Sequence, residues 1–282
     1  MKKNPIGVMA DSLLLPFRES IETAARMGAD GVQLYAVSKE MLSATKADLA
    51  AKTQLIRDCG MRVSALCGDL GGHGFTRRNG IENRIETSKH IIDMALDMDC
   101  NIVTTHIGVV PEDCTCETYH ILQDACGAMA EYARSQGAFF AIETGPEPSV
   151  RLKRFLDSLG GKGMGVNMDP ANLVMVVGED PVQAVHNLKD YIVHTHAKDG
   201  VMLTKTDPQI IYDFFAEGGI GDLRLEEYFL ETPLGKGNVG FPGYLAALRE
   251  IGYEGFLTIE REVGENPAKD IEEAVIFLKN LL

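Results

Sequence analysis

Eight short apolar runs, each followed by an amphipathic stretch, recur along the 282-residue chain and limit its fold more than any other feature. The runs are "IGVMA" (6–10), "GVQLYA" (31–36), "MRVSALCG" (61–68), "NIVTTHIG" (101–108), "AFFAIET" (138–144), "MGVNMDP" (164–170), "YIVHTHA" (191–197) and "GFLTIERE" (255–262). Apolar strands alternating with helices imply a parallel sheet covered on both faces. Eight such units, with no block of different character, predict an α/β fold: a single-domain (β/α)8 TIM barrel spanning residues 1–282. No G-x-G-x-x-G follows the first run, which weighs against an open nucleotide-binding sheet. The one long interruption, about residues 200–240, falls after strand seven, where such barrels build their sites. A bland insertion and a lid or pocket wall are both open there.

The composition narrows the classes of partner. A net charge of −14 argues against nucleic acid and anionic membranes, which reward basic patches. No stretch approaches ~20 consecutive apolar residues, and "MKKNPIGVMADS" lacks the apolar core of a signal peptide, so a cytoplasmic location is expected. The six cysteines, at 59, 67, 100, 114, 116 and 126, read as free thiols. "CTCETYH" (114–120) has a C-x-C spacing that does not match a zinc knuckle. Assembly into a homo-oligomer is left open.

Four consecutive strands end on chemistry-bearing groups: Glu143 in "FFAIE", Asp169 in "GVNMD", His196 in "IVHTH" and Glu260 in "FLTIE". In a barrel these ends converge on one mouth. Three carboxylates gathered there repel unless a cation sits among them, and a divalent metal is the economical one. Three oxygen donors and one nitrogen suit one ion, Mn²⁺ first, with Mg²⁺, Co²⁺ or Zn²⁺ as alternatives. The competing explanation is an ion-pair network using lysines such as Lys198. His106 ends strand four and could border the pocket. His194 shares a strand face with His196 and is either a neighbour of the site or a core histidine. Glu262 would cap or solvate the rim, while Lys198 and Asp199 would orient ligands or pair with each other. Glycines 235 and 237 in "LGKGNVG" could cradle a phosphate or form a plain turn.

With "AIETG", "GVNMDPANL", "HTHAKD" and "LGKGNVGFPGYLAALREIGYEGFLTIERE" in view, the whole chain resembles the xylose isomerase-like barrel superfamily. That superfamily of sugar-phosphate isomerases and epimerases includes ketose 3-epimerases, inosose dehydratase and endonuclease IV. The resemblance implies one divalent metal on Glu143, Asp169, His196 and Glu260, with Glu143 and Glu260 also the acid/base pair. It implies proton transfer through a metal-stabilised enediolate of a small sugar or sugar phosphate. His106, His194, Asn172 and Lys198 are the substrate-binding candidates. Two positions depart from the ketose 3-epimerases: Asn172 stands where they carry histidine, and Met202 where they carry arginine. Asn172 and the negative charge together argue against DNA repair. The expected function is therefore a metal-dependent sugar isomerase or epimerase with a small carbohydrate as its partner. An inosose dehydratase-like lyase is the alternative, and a non-catalytic carbohydrate-binding barrel is the third reading.

Overall fold

A computed structural model describes residues 3–161 and 163–282. Ten strands occur in it: β1 (Ile6–Met9), β2 (Gly31–Tyr35), β3 (Arg62–Cys67), β4 (Ile102–Thr105), β5 (Phe139–Glu143), β6 (Met164–Met168), β7 (Ile192–Ala197), β8 (Asp199–Met202), β9 (Phe229–Thr232) and β10 (Leu257–Ile259). The first seven and β10 close into an all-parallel barrel, in the order β1-β10-β7-β6-β5-β4-β3-β2. The expected (β/α)8 barrel is thus present, with its eight strands where the apolar runs lie. Both faces of each strand are covered, which is why the runs are apolar without alternation. Helical side chains such as Ile21, Ile91, Leu122, Phe155 and Leu278 are buried against the outside of the barrel.

Helix starts follow a repeated local device. Asp169, Asp180, Asp207 and Asn266 each precede a proline and each accept a backbone N–H two or three residues on. The side chain satisfies an end N–H, while proline at the first helical position loses a donor that would be unpaired anyway. Asp169 therefore has a structural duty beside any chemical one. Its short helix, Pro170–Asn172, continues as a π-helical segment, Leu173–Val177.

The interruption after β7 is not an irregular loop. It begins with β8, which pairs antiparallel with β9 and so forms a small second sheet. Between these strands runs a helix, Pro208–Glu217. A buried ion-pair chain ties this insertion to the barrel. Arg261, just past β10, donates to Glu231 of β9 (2.7 Å) and to Asp270 of the C-terminal helix (2.8 Å). Among the described residues, no helix is long and apolar enough to cross a membrane.

Candidate metal centre and substrate cavity

Glu143 is the last residue of β5, Asp169 follows β6, His196 is next to last in β7, and Glu260 follows β10. One ligand atom from each lies within 4.8 Å of the others, and all four residues are buried. The imidazole is the hub. Its Nδ1 stands 3.2 Å from Glu260 Oε2, 3.4 Å from Asp169 Oδ2 and 3.5 Å from Glu143 Oε1. On the far side of the ring, Nε2 lies 3.1 Å from the side-chain oxygen of Gln33, which itself donates to Thr104 (2.9 Å). A proton on Nε2 donated to Gln33 leaves Nδ1 free to face the carboxylates, as metal-binding imidazoles require.

Asp169 supplies the test of whether an ion fits. Its Oδ1 accepts the N–H of Asn172 at 2.8 Å, which is the helix cap. Its Oδ2, buried and directed at the cluster, has no hydrogen-bond partner. A buried carboxylate oxygen left so is costly unless a cation meets it. Three carboxylate oxygens and one imidazole nitrogen are a donor set that could hold a divalent ion.

The glutamates are held separately. Glu143 accepts from Asn167 (3.0 Å) and from Asn172 (3.2 Å). Glu260 accepts from the buried ammonium of Lys198 at 3.0 Å. Lys198 also bonds Glu262 and lies 3.8 Å from Glu231, so it pairs with three glutamates and not with Asp199. Burial alone would drive His196 neutral, but the carboxylates of Glu260 and Glu143 outweigh it and raise its proton affinity well above the ordinary value. Burial likewise opposes ionisation of Glu260, yet His196 and Lys198 hold its carboxyl far below the ordinary range. His106 stands 3.0 Å from Asp69 and 3.7 Å from Glu143. Burial pushes it down, Glu143 and Asp69 pull it up, and the balance is about 10.

A cavity of about 590 Å³ opens over this cluster, and its lining includes Glu143, Glu260, His106, Asn172 and Lys198. His194 does not line it, which corrects the expectation that it meets substrate. Two residues earlier in the same strand, it points into the barrel one layer deeper. Its ring nitrogens are taken by Asn167 (2.9 Å) and Thr258 (3.0 Å), and burial holds it neutral. It is a packed polar support under the site. The glycine-rich stretch is also settled. The N–H groups of Gly235, Gly237 and Val239 all donate to the Asp199 carboxylate at 2.9–3.1 Å. The anion in that cradle is the protein's own. A Cβ on Gly237 would come within 2.2 Å of Asp199 Oδ1, so only glycine fits.

Sequence reasoning missed Gln33, Asn167, Asp69 and Tyr212. Polar residues inside apolar strands were a usable signal for Gln33 and Asn167, since burying an amide requires a partner. Tyr212 carried none, because the insertion that delivers it had no pattern fixing its place. Its ring lies 5.7 Å from that of His106. Its hydroxyl would be 3.1 Å from a Cβ on Gly145, whose φ is +146°.

Comparison with known proteins places these features in context. A sequence model described as xylose isomerase-like TIM barrel matches residues 21–281. No curated protein sequence matches the chain. Among solved structures, a xylose isomerase domain protein from Planctomyces limnophilus is 26% identical with a TM-score of 0.80, covering 99% of this chain and 96% of that one. A probable 3-DHS dehydratase of petrobactin synthesis from Bacillus anthracis is 15% identical (TM-score 0.75, 99% of each chain). A D-psicose 3-epimerase with D-tagatose, from Clostridium cellulolyticum H10, is 11% identical (TM-score 0.73, 99% of each chain). At such identities the last two are similar in fold alone.

Proposed function

The chain belongs to the xylose isomerase-like TIM barrel family, and from that premise we propose that it is a divalent-metal-dependent isomerase or epimerase of a small, uncharged sugar. The observation that carries this is the unpartnered Oδ2 of Asp169 inside a ring of three carboxylates and one imidazole. Glu143, Asp169, His196 and Glu260 would hold the ion, with Mn²⁺ the first candidate. When bound, such an ion supplies Lewis-acid polarisation of a substrate carbonyl and its neighbouring hydroxyl, which acidifies the adjacent C–H.

The chain's own groups do the rest. Glu143 and Glu260 reach the cluster from separate strands, β5 and β10, and each is held by donors of its own. One carboxylate removes the proton from carbon, and the other returns a proton to the opposite face or to the neighbouring carbon. Asn167 and Asn172 orient Glu143, while Lys198 orients Glu260 and keeps it ionised. His106 and Asn172 line the cavity and offer hydrogen bonds to substrate hydroxyls. In this reading residues 1–282 act as one catalytic unit.

An uncharged substrate is favoured over a phosphate because Lys198, Arg261 and the glycine-rich cradle beside the site are already matched. Lys198 faces three glutamates, Arg261 is bound to Glu231 and Asp270, and Asp199 fills the glycine-rich cradle. Incubating the Mn²⁺-loaded protein in D₂O with ketoses, ketose phosphates and inososes tests the proposal. Deuterium should enter a C–H of an unphosphorylated sugar without loss of water from the product. Loss of water would move the activity to an inosose dehydratase-like lyase, and no exchange with any of these compounds would remove the isomerase reading.

A further inference from the structure

The insertion helix Pro208–Glu217 lends the cavity polar groups, among them Gln209, Tyr212 and Asp213. That helix is pinned from several sides. Ile211 is buried in the core. His73, in the loop after β3, lies 2.5 Å from Glu217 through Nε2 and 3.7 Å from Asp213 through Nδ1, and Arg77 lies 3.7 Å from Glu217. Tyr212 adds a contact of its own, with its ring centred 5.7 Å from that of His106. Its hydroxyl reaches Gly145, two residues past Glu143. A Cβ on Gly145 would stand 3.1 Å from the phenol oxygen and 2.5 Å from the Cβ of Asn172, so the glycine leaves room for both side chains. Asn172 in turn donates to Glu143.

Among the described residues the Tyr212 hydroxyl has no hydrogen-bond partner, and the residue lines the cavity. A phenol fixed by its ring, its helix and an ion-pair clamp, with its donor unused, is prepared for a group that enters from outside. Burial and the carboxylates of Glu143, Glu147 and Asp169 raise its proton affinity, so it stays a donor. Resting on the sugar-enzyme reading above, we infer that Tyr212 is a catalytic residue, whose hydroxyl donates a hydrogen bond to a substrate oxygen on the Glu143 side of the site. When a glutamate takes the proton from carbon, the C–H electron pair moves toward the adjacent carbonyl, and its oxygen gains negative charge. Tyr212 keeps its own proton and donates more strongly to that charged oxygen than to the neutral carbonyl. His73 and Glu217 are positioning residues that act through Tyr212.

Two measurements on the Mn²⁺-loaded protein test this: C–H exchange in D₂O on the ketoses, ketose phosphates and inososes above, and binding of xylitol, which has hydroxyls but no carbonyl. The chain has eight tyrosines and no tryptophan, so the near-ultraviolet difference spectrum of xylitol binding reads chiefly tyrosine. Tyr212→Phe should remove at least half of that signal. It should lower exchange by ~10²–10³-fold while weakening xylitol by no more than about tenfold. Glu217→Gln should lower exchange about two- to fivefold, and not at all when Tyr212 is already Phe, because the exposed pair then has nothing to position. Unchanged exchange in Tyr212→Phe, or equal losses of exchange and xylitol affinity, overturns the catalytic role. A Glu217→Gln loss that persists beside Tyr212→Phe overturns the positioning role. Absence of exchange from the unaltered protein would remove the isomerase reading by itself. The xylitol spectrum then decides the contact alone, which stands if Tyr212→Phe removes the signal and falls if the signal survives or never forms.

Discussion

At the scale of single residues, the site is a set of carboxylates held by a few donors: Asn167 and Asn172 for Glu143, the Asn172 N–H for Asp169, and Lys198 for Glu260. Replacing Glu143 or Glu260 with Gln keeps shape and removes the base. Either change should lower solvent C–H exchange by ~10²–10⁴-fold, the usual range for a general acid–base group. Metal content measured in the same samples separates loss of the base from loss of the ion. Gln33 touches neither cavity nor carboxylate, yet it sets the orientation of His196 through Nε2. Gln33→Leu should weaken Mn²⁺ binding by ~10–100-fold in a metal titration, as expected for a residue that orients a ligand. An unchanged affinity would mean that packing alone holds the imidazole.

At the scale of elements, the insertion matters most. Its entry, β8, begins with Asp199, whose carboxylate collects three backbone N–H groups from the stretch 235–239. That carboxylate closes the insertion into a loop with both ends at β8. Asp199→Ala leaves those donors without an acceptor, at a cost of ~1–3 kcal/mol for each one that stays buried and unpaired. The melting temperature should fall by several degrees, and cleavage by a protease should concentrate within 200–240. Arg261 anchors the same insertion from the other side, between Glu231 and Asp270. Arg261→Met removes the nearest partner of the buried Glu231 carboxylate and leaves it Lys198 at 3.8 Å and the Glu262 N–H, a loss of ~1–3 kcal/mol read by denaturant unfolding.

At the scale of the whole molecule, stability should respond to metal and to pH. An ion bound only by the folded state adds ~2.7 kcal/mol at a hundred times its dissociation constant. Chelation should therefore lower the melting temperature by several degrees, and Asp169→Asn should abolish that response. Glu147 is buried, accepts one N–H from Val110 at 3.0 Å and leaves its other oxygen without a partner. Burial pushes its carboxyl up to about 8 from the ordinary 4.5, with the Val110 N–H opposing. Between those values the folded state keeps a proton that the unfolded chain gives up. Its contribution is thus whole below pH 4.5 and is lost as the pH rises through about 8, at up to ~1.4 kcal/mol per pH unit. Glu147→Gln should flatten the fall in stability over that window, and an unaltered slope would assign the fall to other groups.

The sequence by itself determined the barrel and the four converging groups, because both depend on short-range order. Apolar runs fix the strands, and the residue closing each run must emerge at the same mouth. It placed His194 and His196 on one face and chose His196, which closes the run, as the ligand, but it could not say what His194 meets, since depth along the barrel axis depends on the neighbouring strands. Only the tertiary structure gave His196 the carboxylates and His194 the amide and hydroxyl of Asn167 and Thr258. Tertiary contacts also filled the glycine cradle with Asp199 and turned Lys198 toward glutamates. Those outcomes rest on groups meeting across 38 or 62 residues of chain. No local pattern encodes such meetings, because the closed barrel has first to bring the two segments together.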